Sequence, residues 1–186
     1  MFFYQLFTLH GYFNGHNIPL VFCLLKDKKQ ETYINCFKSI CEKLLELNLV
    51  FSPTEIVVDF ELAIHSACEK IWPDVNLVGC RFHLSQSWGR AIQNFGLSVE
   101  YKSESEINKW LHLCFGLLFL SPEKVPNVFA FTLEAIMPSD PRVTKFSGYL
   151  VDNYISNDAA FPPHLWADQN TNLIRTTNAC ESFIVI

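Results

Sequence analysis

Asn14-Gly15 constrains this chain more than any other pair of residues. A two-residue hairpin turn whose twist matches its flanking strands needs positive φ at both central positions, and Asn-Gly meets that need at the lowest steric cost. Before it stands FFYQLFTLHGYF, rich in aromatic and β-prone residues, and after it IPLVFCLL. Pro19 has no N–H to give to a ladder, which suits the first residues of a strand and not its centre. The chain is therefore expected to open with a β-hairpin.

The next stretch alternates. Residues 28–48 place Tyr33, Ile34, Phe37, Ile40, Cys41, Leu44 and Leu45 at helical spacing with charges between them, which predicts an amphipathic helix. Ser52-Pro53 breaks it. TEIVVDF over 54–60 reads as a short buried strand ending in an acid. Residues 62–71 read as a second helix closed by Trp72-Pro73, VNLVGC over 75–80 as another strand, and 82–95 as a third helix. Strands that alternate with helices are expected to be parallel and joined by right-handed crossovers.

From residue 101 the pattern changes. Segments 103–120, 122–137 and 141–155 are helical in spacing, with breaks at Ser121-Pro122 and over 137–141 and with no strand signal. Residues 161–168, with two prolines and Trp166, read as a loop. The expected organisation is a core over 1–100, a helical insertion over 101–170, and the start of a final core helix over 171–186.

Composition bounds the function. At 49% hydrophobic and 18% charged, the chain is patterned to bury a core rather than to stay disordered. A net charge of −5 and a pI near 5.6 give no basic surplus for stand-alone DNA binding. The seven cysteines include no CxxC, and several sit at apolar positions, which suits a reducing compartment. The N-terminal apolar run lacks a basic flank, and residues 111–120 are too few to span a bilayer, so a soluble protein is expected. No glycine-rich phosphate loop or nucleophile elbow occurs.

Few residues could carry chemistry. Asp59 ends an apolar strand, where α/β sheets place their ligands, and an acid behind Ile56, Val57 and Val58 suits a metal. A helix-capping acid is the structural alternative. Cys80 and His83 form C-x-x-H at the next strand–helix junction; this spacing supplies half of a zinc site, or a buried thiol beside a hydrogen-bonded histidine. His112 and Cys114 are too distant in sequence to join them. Glu181 follows Thr-Thr-Asn-Ala-Cys and, in isolation, reads as a solvated acid. His10, His16, His65 and His164 carry no partner pattern and read as structural or surface residues.

Taken together, FYQLFTLHGYFNGHNIPLVFCLLKDKKQETY, IVVDFELAI, GCRFHLSQSWGRAIQ and RTTNACES resemble the transposases of Mutator-like elements (MULE transposases). The resemblance implies an α/β fold: a partial RNase H-like mixed sheet, built from the hairpin plus parallel strands with flanking helices, carrying an all-helical insertion. It implies a DDE triad in which three carboxylates hold two Mg²⁺ or Mn²⁺ ions for phosphodiester cleavage and strand transfer. Asp59 matches the second acid and Glu181 the third. Cys80 and His83 match the C-x-x-H between them, with zinc not required. The implied partner is transposon-end DNA in a nuclear parent protein with no membrane association, and a homo-oligomer is compatible with it. The family's first acid sits on a strand before FYQLFTLHG, in a D-G-T-F type segment. This chain opens inside the hairpin and closes soon after Glu181, so it is expected to be truncated at both ends, to lack that acid, and to be inactive alone. The alternative is a domesticated, non-catalytic DNA- or protein-interaction module.

Overall fold

The computed structural model describes residues 3–14 and 16–168. They fall into two compact units, one ending at Cys80 and the other beginning at Arg81.

The first unit opens with strands β1 (Gln5–Phe13) and β2 (His16–Leu25), antiparallel with Phe13 opposite His16. Asn14 takes φ +49°, the left-handed region that the turn requires. The register slips between Leu9 and His10: Leu9 faces Val21 and His10 faces Pro19, which leaves Leu20 as an extra residue. Pro19 thus lies inside the strand rather than at its first residues, and an irregularity beside it spares the ladder a donor it cannot supply. One face of the hairpin buries Phe7, Leu9 and Leu25, while Leu6, Leu20, Phe22 and Leu24 are exposed.

Helix α1 (Gln30–Glu46) covers the buried face with Tyr33, Ile34, Phe37 and Ile40. Phe7 of β1 meets the Tyr33 and Phe37 rings edge-on at 5.5 and 6.0 Å. The Asp27 carboxylate organises the helix entry, accepting from the Lys29 backbone N–H at 3.0 Å and from the Thr32 hydroxyl at 2.6 Å. The helix stops at Asn48, whose φ of +58° lets Leu49 N–H reach Leu44 C=O and its own N–H reach Leu45 C=O, so that orphaned carbonyls are satisfied.

Strand β3 (Glu55–Val58), helix α2 (Leu62–Ile71) and strand β4 (Asn76–Gly79) form a parallel β-α-β unit, with Val58 opposite Gly79. Trp72, just after α2, packs on Phe37 and Phe51. The expected single mixed sheet is corrected here. Among the described residues β1–β2 and β3–β4 are two separate two-stranded sheets. Each strand run was patterned for burial, but no described strand bridges the two pairs.

The second unit is helical. Helix α3 (Arg81–Asn94) ends on Gly96, whose φ of +75° allows Leu97 N–H to return to Ile92 C=O. Then follow α4 (Ser98–Tyr101), α5 (Glu106–Gly116) and α6 (Val125–Val128), then α7 (Pro141–Leu150). Ser105 caps α5 by accepting from Asn108 N–H at 3.1 Å, and Asp140 caps α7 by accepting from Arg142 N–H at 2.7 Å. The stretch expected as one helix over 122–137 is broken into 3₁₀, α, π and 3₁₀ turns, and α7 continues into a π turn at Val151–Ile155. Trp88, Trp110 and Trp166 are almost fully enclosed, and the Trp88 indole meets Phe115, Tyr154 and Trp166 at 5.4–5.7 Å. No described helix is long and apolar enough to cross a membrane.

Candidate functional site

The site is the turn between β3 and α2. Ile56, Val57 and Val58 are buried, and the chain leaves the sheet at Asp59, which is half-buried. Position 59 is the first place where a carboxylate can meet water after three apolar residues. The turn is held from several sides. Asp59 Oδ1 accepts from Phe60 N–H at 2.7 Å. The Asp59 carbonyl accepts from Glu61 N–H at 3.0 Å and from His65 Nε2 at 2.8 Å. A carbonyl can only accept, so Nε2 carries the hydrogen. His65 lies on α2, and its burial lowers its pKa below the ordinary histidine value, while the Asp59 carbonyl, Glu69 and Asp59 pull the other way.

Glu61, the residue before α2, points its carboxylate back to α1. It accepts from Lys28 Nζ at 3.1 Å and from the Tyr33 hydroxyl at 3.1 Å, and Gln5 Nε2 donates to the Tyr33 oxygen at 2.9 Å. Burial, with Glu61 adding to it, raises the Tyr33 pKa and keeps the phenol protonated as donor. The network ties β1, α1 and the β3–α2 turn together through side chains 28 residues and more apart.

On the neighbouring strand, Gly79 takes the Phe60 ring. A Cβ at position 79 would come within 2.3 Å of Phe60 Cζ, so only glycine lets the ring lie there. Cys80 follows, its N–H donating to Val58 C=O at 2.8 Å and its side chain buried with Val57 and Val78. Asp59 and Cys80 therefore occupy corresponding positions, each one residue past the last pair of β3 and β4. His83 is the third residue of α3, edge-on to Phe82 at 5.5 Å between centroids. Glu181 lies outside the described residues. Sequence reasoning missed Tyr33, Glu61 and His65 as the residues that fix the acidic turn, because each acts through a bond that no local spacing encodes.

A two-ion centre needs several convergent carboxylates. Among the described residues no group of three or more His, Cys, Asp and Glu is arranged to hold a metal ion. Asp59 alone, with one oxygen engaged by Phe60 N–H, does not amount to such a centre.

These features define a mixed α/β protein with an acid at the carboxyl end of a parallel strand. Residues 1–87 match the family model of the MULE transposase domain, so this part of the chain is similar to that domain. The matched segment contains Asp59, Cys80 and His83 and stops short of Glu181. No curated protein matches the chain significantly, and no solved structure does.

Proposed function

We propose that this chain is a segment of a DDE-type transposase core with an RNase H-like ancestry. In that reading Asp59 is one of three metal-binding acids and Glu181 another, and a longer nuclear parent uses them on transposon-end DNA for phosphodiester cleavage and strand transfer. The observation that carries the reading is the position of Asp59, at the mouth of a parallel strand pair inside the MULE-matched segment. Mg²⁺ or Mn²⁺, held by Asp59 with acids from elsewhere, would activate the attacking oxygen. The chain's own contribution is placement. His65 and the Phe60–Gly79 contact fix the turn that presents the carboxylate, and the Lys28–Glu61–Tyr33 network keeps the neighbouring acid out of the way.

The chain alone is proposed to be catalytically silent. The engaged Asp59 oxygen and the net charge of −5 favour a second reading, a non-catalytic module retained for interaction with DNA or protein.

Nicking and strand-transfer assays on transposon-end DNA with Mg²⁺ or Mn²⁺ test this. The chain alone is expected to give no turnover, and a complete transposase core carrying this segment is expected to give turnover that Asp59→Asn abolishes. Activity of that core that survives Asp59→Asn defeats the catalytic assignment. Robust turnover by the chain alone, lost in Asp59→Ala, defeats the proposed silence.

A further inference from the structure

We propose that Lys26, Lys28 and Lys29, on the loop between β2 and α1, grip the phosphodiester backbone of duplex DNA and bring it to the Asp59 turn. This rests on reading that turn as part of a DNA-processing site. Asp59 and Glu61 place two acids within three residues, and a polyanion approaches such a turn only where cations flank it. The chain carries 14 Lys and Arg residues, and three of them fall within residues 26–29. All three are exposed.

The loop is tied directly to the turn. Lys28 Nζ meets Glu61 Oε2 at 3.1 Å, and Glu61 N–H donates to the Asp59 carbonyl at 3.0 Å. Asp27, the acid inside the basic run, is engaged by the helix entry: its Oδ1 accepts from the Lys29 N–H at 3.0 Å and from the Thr32 hydroxyl at 2.6 Å. The lysines on either side of it stay in water. The Lys28–Glu61 pair is itself exchangeable. Lys28 is 51% exposed, so solvent screens the pair and it contributes little. A phosphate oxygen offers the same kind of acceptor, and a lysine brings a mobile point charge that needs no bidentate geometry. Glu61 keeps a partner when Lys28 leaves it, because the Tyr33 hydroxyl donates to its other oxygen at 3.1 Å. Glu31, in the first turn of α1, adds an acid close by in sequence. The grip is therefore weak, non-specific and strongly salt-dependent, in keeping with a net charge of −5.

The test uses the full chain and a random-sequence DNA duplex, followed by fluorescence anisotropy across a salt series. Binding at low salt is expected. Lys26→Gln with Lys28→Gln and Lys29→Gln is expected to flatten the slope of log Kd against log salt by about 2–3. Lys102→Gln with Lys109→Gln and Lys124→Gln removes the same charge from exposed positions of the helical unit and is expected to leave the slope unchanged. Glu61→Gln, which frees Lys28 and removes an acid, is expected to tighten binding several-fold. In the wild-type protein, DNA is expected to protect Lys26, Lys28 and Lys29 from acetylation, a readout that needs no variant to fold. No binding at low salt, equal flattening by both triple variants, or no protection of the loop overturns the proposal. Asp59→Asn is expected to bind DNA at least as tightly as the wild type. A failed catalytic assignment of Asp59 therefore leaves loop protection standing, and a failed loop leaves the Asp59 turnover test standing.

Discussion

The unit ending at Cys80 and the unit beginning at Arg81 use aromatic side chains in different ways. In the first, Phe7, Tyr33, Phe37, Trp72 and Phe51 form a chain of ring contacts running from β1 through α1 to the end of α2. It stitches layers together, yet the hairpin keeps an apolar outer face, with Phe22 64% and Leu24 63% exposed. In the second, three tryptophans sit at the centre with at most 2% exposure. A two-stranded sheet can cover only one face with a single helix layer. Short helices packed around indoles close on themselves. The helical unit is thus expected to owe its stability to a few large side chains, and the sheet unit to geometry that holds a turn in place.

Trp88→Ala is the harshest way to break that contrast. It removes an enclosed indole that touches three other rings and is expected to cost about 3–5 kcal/mol in urea unfolding. Trp88→Phe is expected to cost well under half as much. It keeps a ring and drops an indole N–H that has no hydrogen-bond partner among the described residues. Equal losses in the two variants would mean that something other than ring packing holds the helical unit.

Gly79→Ala attacks the sheet unit where geometry is tightest. The added methyl lands in the Phe60 ring and is expected to cost about 1–3 kcal/mol by overpacking. Gly79→Ala combined with Phe60→Ala is expected to recover part of that loss, because the two sites are in contact. If the double variant is simply additive in unfolding experiments, the ring does not constrain position 79, and the account of how the acidic turn is placed weakens with it.

These same residues mark what could be read from sequence. The hairpin was legible because Asn-Gly dictates a turn, and residues 62–71 because Trp72-Pro73 ends the helical spacing. The strand position of Asp59 followed from the apolar run before it. Sheet assembly was not legible. Apolar patterning says that β1 and β3 are strands but not which edges pair, and so one sheet was expected where two are found. Residues 125–137 carry helical spacing through a segment that tightens and loosens by turns, a change of hydrogen-bond partner that leaves no trace in periodicity. His65 was unreadable as the support of Asp59 because its partner is a backbone carbonyl, which has no sequence identity.

The dependence on His65 has a pH signature confined to the sheet unit. Burial lowers the folded-state pKa of His65 below the ordinary 6.5, and the same holds for His10. The unfolded chain therefore binds protons first as pH falls, so the stabilisation is complete above about 6.5 and is lost on acidification below it. Thermal unfolding of the sheet unit is expected to move to lower temperature below pH 6.5. His65→Gln, which can still donate to the Asp59 carbonyl, is expected to flatten part of that slope. An unchanged slope assigns the effect to His10 or to carboxylates instead.

The smallest effect separates the two faces of the hairpin. Phe22 and Leu24 are exposed, so Phe22→Thr with Leu24→Thr removes little packing and keeps β-branched residues suited to a strand. Equilibrium stability is expected to change by no more than about 0.5 kcal/mol, while solubility rises because the exposed apolar surface is reduced to Leu6 and Leu20 on that stretch. Leu25, one residue further on, faces the core at 6% exposure, and Leu25→Thr is expected to cost about 2 kcal/mol or more through a cavity and a buried hydroxyl. Alternation along a strand turns a one-residue step into a change of face. Similar losses at 22, 24 and 25 in denaturant titrations would mean that the outer face is covered in solution, and the contrast between an open sheet and a closed helical core would no longer hold.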